Sequence, residues 1–401
     1  ARSRYSPAKA IEHYARGLEL LGDDEPRRRL EVYHHQGDVC QQLGKMEEAL
    51  VSFRSMLSLA YRLNLFGKGG AAHNRIGRLH RETGVLDQAA RHLGTGLALF
   101  EACNDERGIA SSLDDIGKLH WLRGDYPLAL EQMRRALTMR RQIGDRRSIA
   151  LSLNNVGLVL QDSGEFKEAL ESFSQALKIR REIGDLLGVI ITLNNLGTVA
   201  QDQGNHARAL EVFEEALAVA REVGDRNKIA LVLTNLGEAQ RSMGQASEAV
   251  LSLTEAVTTC EDLNDRLGVA EALRALGMAY LEQNELVQAR ESISRAVDIF
   301  AAARSKVHLG SALRTLGEIT AGGGWGREHA SKARDYFQRS IAIFEEIGNE
   351  LELARSLTSY ADFLDRGELV DHIVEDSRVL RHRAEGIFLK LRNSSPTNHA
   401  S

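Results

Sequence analysis

The sequence predicts an all-α chain built as a solenoid of antiparallel helix pairs, and three observations carry that expectation. A glycine returns every forty residues, at Gly37, Gly77, Gly117, Gly157, Gly197, Gly237, Gly277 and Gly317. Only 4 prolines interrupt 401 residues rich in Ala, Leu, Glu and Arg, a composition that favours helix. Between the glycines, apolar residues recur at spacings of three and four, the period of an amphipathic helix. An internal period this long overrides any domain count from length, because such units bury their apolar faces only against one another.

The stretch from Ser148 to Asp185 shows the unit. Its first helix carries a narrow stripe of Leu153, Val156, Gly157 and Leu160, and its second a broader face of Phe166, Ala169, Leu170, Phe173, Ala176 and Leu177. Gly164 and Gly184 stop the two helices, since glycine takes the left-handed conformation without steric cost. Asp185 then offers an oxygen to cap the next helix. Helices joined by turns this short lie antiparallel.

Glycine inside a helix costs about 1 kcal/mol against alanine, so eight of them cost roughly 8 kcal/mol, comparable to the net stability of a domain. The missing side chain must therefore let two helices approach closely. On this reading Gly197→Leu costs at least the ~1–3 kcal/mol of overpacking.

Taken in order, residues 1–26 read as the orphan second helix of an incomplete repeat, with Ala10, Ile11, Tyr14 and Leu18 on one face. Residues 27–350 hold eight repeats, the last opened by a four-residue insertion at Gly322-Gly323-Gly324-Trp325-Gly326. Residues 351–392 read as a degenerate repeat around Leu357 and Ala361, followed by a capping helix with Ile373, Leu380, Ile387, Phe388 and Leu391. Residues 393–401 form a polar tail expected to be disordered. The absent initiator Met and the start inside a helical pattern are read as a piece of a longer polypeptide.

Composition narrows the function classes. A net charge of -5 gives no global field for nucleic acid or an acidic membrane. Cys40, Cys103 and Cys260 lie far apart, which argues against a disulfide framework or zinc cluster and fits a reducing cytoplasm. No apolar run reaches the roughly eighteen residues of a spanning helix, and no signal core opens the chain. The excess of arginine over lysine fits a GC-rich bacterial genome. His34, His35, His73 and His80 lack the i,i+4 metal spacing and read as surface or groove residues. Gly67-Lys68-Gly69-Gly70 lacks the phosphate-loop spacing and reads as a helix-ending turn. No catalytic constellation, metal site or cofactor site is expected.

The unit resembles the tetratricopeptide repeat: Leu153, Val156-Gly157, Leu160, Ala169, Phe173 and Ala176 match its pattern, as do Leu193, Leu196-Gly197, Ala209, Phe213 and Ala216. Its forty-residue length exceeds the common ~34, and Gly-Asp stands where a proline usually closes the second helix. In this it is similar to spindle-orienting Leu-Gly-Asn scaffolds, kinesin light chains and the repeat arms of bacterial signal-transduction ATPases and transcription regulators. The resemblance implies a right-handed α-solenoid whose first helices form a concave wall that binds proteins or peptides and does no chemistry.

At 3.6 residues per turn, a core stripe of Leu153, Val156, Gly157 and Leu160 turns Asn154, Asn155, Leu158, Gln161 and Asp162 away from the core. Stacking the units gives an expected polar ladder of Asn154, Asn155, Gln161 and Asp162, then Asn194, Asn195, Gln201 and Asp202, then Asn235, Glu238 and Arg241. Each amide donates and accepts, so the ladder could satisfy the backbone of a bound segment. Arg75, Arg78, Arg81 and Lys118 cluster at one end, beside Asp114 and Asp115. Arg274 and Arg314 alternate with Glu271, Glu282 and Glu318 at the other. A ligand acidic toward Arg75 would be complemented. The alternative for these residues is a solvated face that binds nothing.

In the family's carboxylate clamp, basic residues stand where this chain has Asn154, Leu158, Leu151 and Ile191, so an internal segment is expected rather than a free C-terminus. Trp325 reads as packing on its own hairpin, with a partner anchor as the alternative. The expected function is a non-catalytic scaffold or adaptor. The alternative is a sensor arm restraining an ATPase, kinase or transcription-regulator module outside this sequence, an intramolecular partner. If the ladder is free to bind, Asn155→Ala with Asn195→Ala leaves the melting temperature unchanged and weakens partner binding at least tenfold.

Overall fold

A computed structural model describes residues 7–22, 25–322, 326–365 and 377–394. Among them every regular element is an α-helix. The chain divides into two compact units, Ala1–Gly188 and Val189–Ser401.

In the first unit, α1 (Pro7–Leu21) is followed by four hairpins: α2 (Pro26–Gln42) with α3 (Met46–Arg62), α4 (Phe66–Glu82) with α5 (Leu86–Ala102), α6 (Glu106–Leu122) with α7 (Tyr126–Ile143), and α8 (Arg146–Asp162) with α9 (Phe166–Glu182). Beginning with α10 (Leu186–Asp202), the second unit runs through α11 (His206–Val223), α12 (Arg226–Ser242), α13 (Ala246–Asp262), α14 (Arg266–Glu282), α15 (Leu286–Ala302), α16 (Lys306–Gly322), α17 (Gly326–Ile347), α18 (Glu350–Asp365) and α19 (Ser377–Ser394).

The helix ends follow from local chemistry. Asp145 accepts from the Ser148 amide at 3.3 Å, and Asp105, Asp225 and Asp265 accept likewise at 3.0–3.1 Å, which satisfies an N-terminal donor that the helix itself leaves free. After α8 the chain reverses at Gly164, whose φ of 82° is strained for any residue with a Cβ.

Within each unit, helices that follow one another in sequence pack together. The first helices of adjoining hairpins also touch: α4 with α6, α12 with α14, α14 with α16 and α16 with α18. Second helices show no comparable close contact with one another among the described residues. The first helices therefore line the tighter, inner side of each unit.

The column glycines prove to be sockets. A Cβ on Gly157 would lie 2.7 Å from the Phe173 ring, one on Gly77 2.7 Å from Leu93 Cγ, and one on Gly117 2.6 Å from Met133 Cγ. Gly277 takes Ile293 in the same way, at 2.5 Å. Each socket receives the large side chain sixteen residues on, from the partner helix of its own hairpin. Phe53, Phe173 and Phe213 are fully buried there, at 0 % exposure. Such burial stabilises by about 1.5–3 kcal/mol per side chain, which outweighs the ~1 kcal/mol propensity cost of each glycine.

Three expectations change. Gly67, Lys68, Gly69 and Gly70 do not end a helix but form the first turns of α4. Gly70 is there because the Phe100 ring would stand 3.0 Å from its Cβ. Beside the four-residue insertion, α17 is 22 residues long against 17 for α15, so the helix gains about one turn. Its socket pair shifts by the same four, Gly317 meeting Phe337. Finally, α19 continues through Asn393 and Ser394. Ile373, Trp325 and residues 395–401 lie outside the described residues.

Gly157→Leu is expected to destabilise the protein by at least ~1–3 kcal/mol and Phe173→Ala by ~3–5 kcal/mol. Combined, they should cost less than their sum, because the new leucine fills the vacated socket; chemical denaturation followed by circular dichroism measures the difference.

Candidate partner-binding face

The inner face is built from the first helices, and its polar side chains are mostly engaged with one another. In the first unit Asn155 Nδ2 donates to Asp114 at 3.0 Å and Arg75 Nη2 approaches His34 Nε2 at 3.2 Å. In the second, Asn235 Nδ2 donates to Asn194 Oδ1 at 2.8 Å. All three pairs are 41 residues apart. A parallel rail has the same offset: Gln41 to Glu82 and Trp121 to Asp162, both at 2.8 Å, and Arg241 to Glu282 at 2.5 Å. Adjoining first helices run parallel, one forty-residue period apart, and their stagger adds one residue.

The expectation that the asparagines face an open groove is therefore corrected. Asn154, Asn155 and Asn194 are only 5 %, 6 % and 7 % exposed. The wheel places them opposite the core, but the neighbouring first helix covers that flank. Gln161, Asn195, Gln201 and Asn235 are half-buried, and Asp162 and Asp202 are exposed.

Charges on this face are tethered too. Asp115, 2 % exposed, takes Arg78 at 2.6 Å and Arg81 at 3.2 Å. Asp114, 3 % exposed, takes Lys118 at 3.3 Å and the buried Arg140 at 3.7 Å. Arg75 pairs with Asp38 at 3.2 Å. In the second unit Arg274 meets Glu238 at 2.7 Å and Arg314 meets Glu352 at 2.6 Å. Burying a carboxylate without a partner is strongly unfavourable; Asp115 and Asp38 are paired across the boundary between hairpins, and Asp114 is paired with cations of its own hairpin.

Apolar side chains also stay open on the first helices: Leu151 in the first unit is 44 % exposed, and Leu231 at the equivalent position of the second is 41 % exposed.

A second cluster joins α3, α4 and α5. Tyr61 Oη lies 3.0 Å from His73 Nε2, and His73 Nδ1 lies 2.9 Å from His92 Nδ1. The His80 ring stacks on His92 at 5.6 Å between centroids. His73 is thus buried rather than on the surface, and His92, which no motif marks, is the centre of the group. Burial, then the neighbouring His73, His80, Arg54 and Arg91, pushes His92 down to about 4. Burial also lowers His73, and burial with Arg54 lowers His80. Among the described residues, no group of three or more His, Cys, Asp or Glu could hold a metal ion, and no helix is long and apolar enough to cross a membrane.

Hairpins that share one socket and one stagger define a helical repeat protein. Tetratricopeptide-repeat models match residues 30–61, 70–142, 148–222, 188–262 and 228–302, so the chain belongs to the tetratricopeptide-repeat family. No curated protein sequence matches it significantly. Among solved structures it is similar to the apo form of RapI at 14% identity, with 93% of this chain and 99% of that one covered and a TM-score of 0.66. The apo quorum sensor NprR from B. thuringiensis matches at 14% identity over 89% and 98%, with a TM-score of 0.59. A STAND (signal transduction ATPase with numerous domains) protein with a tetratricopeptide repeat sensor, from Pyrococcus horikoshii, matches at 14% identity with a TM-score of 0.58. The chain covers 93% of itself in that match but only 54% of the STAND protein's length. At these identities the likeness is one of fold.

Two outcomes are expected. Asn155→Ala leaves the buried Asp114 carboxylate short of a donor, so it should lower stability by about 1–3 kcal/mol in denaturant titration, in place of the unchanged melting that an open ladder implies. For His92, the folded value lies below the unfolded 6.5, so its contribution to stability is complete above pH 6.5 and is lost as pH falls toward about 4. The melting temperature should drop across that window, and His92→Gln should flatten the drop.

Proposed function

We propose that the protein is a non-catalytic scaffold whose first-helix face takes up a segment of a protein partner. The observation that carries this reading is the exposure of Leu151 and Leu231 at equivalent points of a face whose polar groups are already tied to one another. An apolar side chain held open amid satisfied polar groups gains by covering, and supplies the contact that a bound helix or extended segment needs. The polar pairs keep that face rigid, which lowers the ordering cost of binding.

A second reading rests on one comparison: the chain matches about half of a STAND protein that is described as having a tetratricopeptide repeat sensor. On that reading the partner segment is intramolecular, and the repeats restrain a regulatory module. An ATPase or DNA-binding module in the same reading frame would favour it.

The test is affinity capture from the native cell with the wild-type chain and a Leu151→Asp/Leu231→Asp variant. The variant should keep its melting temperature, because both positions are exposed, and lose the proteins that the wild type enriches at least tenfold. An identical set of captured proteins would overturn the reading.

A further inference from the structure

We infer that the first unit has a discrete site for an acidic peptide segment, at the mouth of the furrow between α4 and α6. The inference rests on the partner-binding reading above and specifies its chemistry. A cavity of about 730 Å³ opens there. Its apolar lining includes Phe66, 49 % exposed at the start of α4, and Phe100 from α5. Its charged lining includes Lys68, Arg75, Arg78 and Arg107 against a single carboxylate, Asp105.

Asp105 Oδ1 accepts from the Gly108 amide at 3.0 Å, capping α6, and the carboxylate keeps its charge, so the lining carries four cations against one anion. Arg75 and Arg78 are compensated from behind by Asp38 and Asp115. Lys68 and Arg107 are exposed and make no hydrogen bond or ion pair among the described residues. Both also lie in the first turn of their helices, where the positive end of the helix dipole makes a cation unfavourable. The site thus holds two cations without an ion pair in a place that disfavours them, Arg107 feeling only the more distant Asp145, beside an exposed aromatic ring. The matching occupant is an internal stretch with at least two carboxylates flanking one apolar side chain: the carboxylates complement Lys68 and Arg107, and the apolar group lies against Phe66. A phosphate-bearing small molecule would answer the charge but would leave the apolar lining uncovered.

The test uses the full chain and a fluorescein-labelled dodecapeptide of glutamates with one central phenylalanine, beside its glutamine counterpart, in fluorescence anisotropy. The glutamate peptide should bind at least tenfold more tightly than the glutamine one, and less tightly as salt rises. Lys68→Glu/Arg107→Glu should lower its affinity at least tenfold with melting unchanged, and Phe66→Ala should lower it independently. Equal binding of the two peptides, indifference to the charge reversal, or ATP binding at the site in place of the peptide would each overturn the inference.

A random-dodecapeptide display selection on the same protein separates the two readings. Selected peptides that depend on Leu151 but not on Lys68 and Arg107 overturn the acidic site and leave the binding face standing. A selection that yields no binder overturns both.

Discussion

Everything in this chain depends on the contact between a glycine of one helix and the large side chain sixteen residues on. The first helix gives up a Cβ at Gly157, and the second fills the gap with Phe173; the pair sets how close the two axes come and at what height they cross. Leucine, methionine, isoleucine and phenylalanine all serve as the filler, at Leu93, Met133, Ile293 and Phe213. The socket therefore tolerates differences in shape on the filling side and none on the glycine side. Two-sided packing of this kind gives each hairpin one geometry, and identical hairpins can then stack.

Stacking poses a second problem, since the flank of each first helix is closed off by its neighbour. Polar residues on that flank are removed from water and must find partners across the boundary. Asn155 with Asp114 and Asn235 with Asn194 do so at the same offset, and Asp115 gathers two arginines. The chemistry that looked like a ligand-reading ladder is largely the cement between hairpins. What stays unpaired there among the described residues is sparser: a few open leucines, and the exposed Lys68 and Arg107, which make no hydrogen bond or ion pair.

The fold was legible because periodicity needs only the sequence: an eightfold column of glycines and the Gly-Asp turns marked the helix pairs, the glycines at the start of α4 being the exception. The polar residues of the inner face were legible in their position on the helix but not in their exposure. A helical wheel states which way Asn154 points relative to its own core, but not that a neighbouring helix stands in front of it, because that depends on the stagger between units. The offset of forty-one was present in the sequence as complementary pairs such as Gln41 with Glu82 and Trp121 with Asp162. It becomes readable only once the helices are known to run parallel. His92 left no trace, as its partners come from α3 and α4 by tertiary packing alone.

The forty-one-residue offset also makes the repeats non-interchangeable. Each hairpin carries the same lock to its own second helix, so a duplicated copy would fold; but its lateral residues are matched to one neighbour, Arg75 to His34, Asn155 to Asp114, Asn235 to Asn194. Transposed, Asn155 would face a different residue and Asp114 would lose its amide. The order of the units is thus written into their flanks as a set of addresses, and a chain of near-identical modules acquires a fixed sequence of parts.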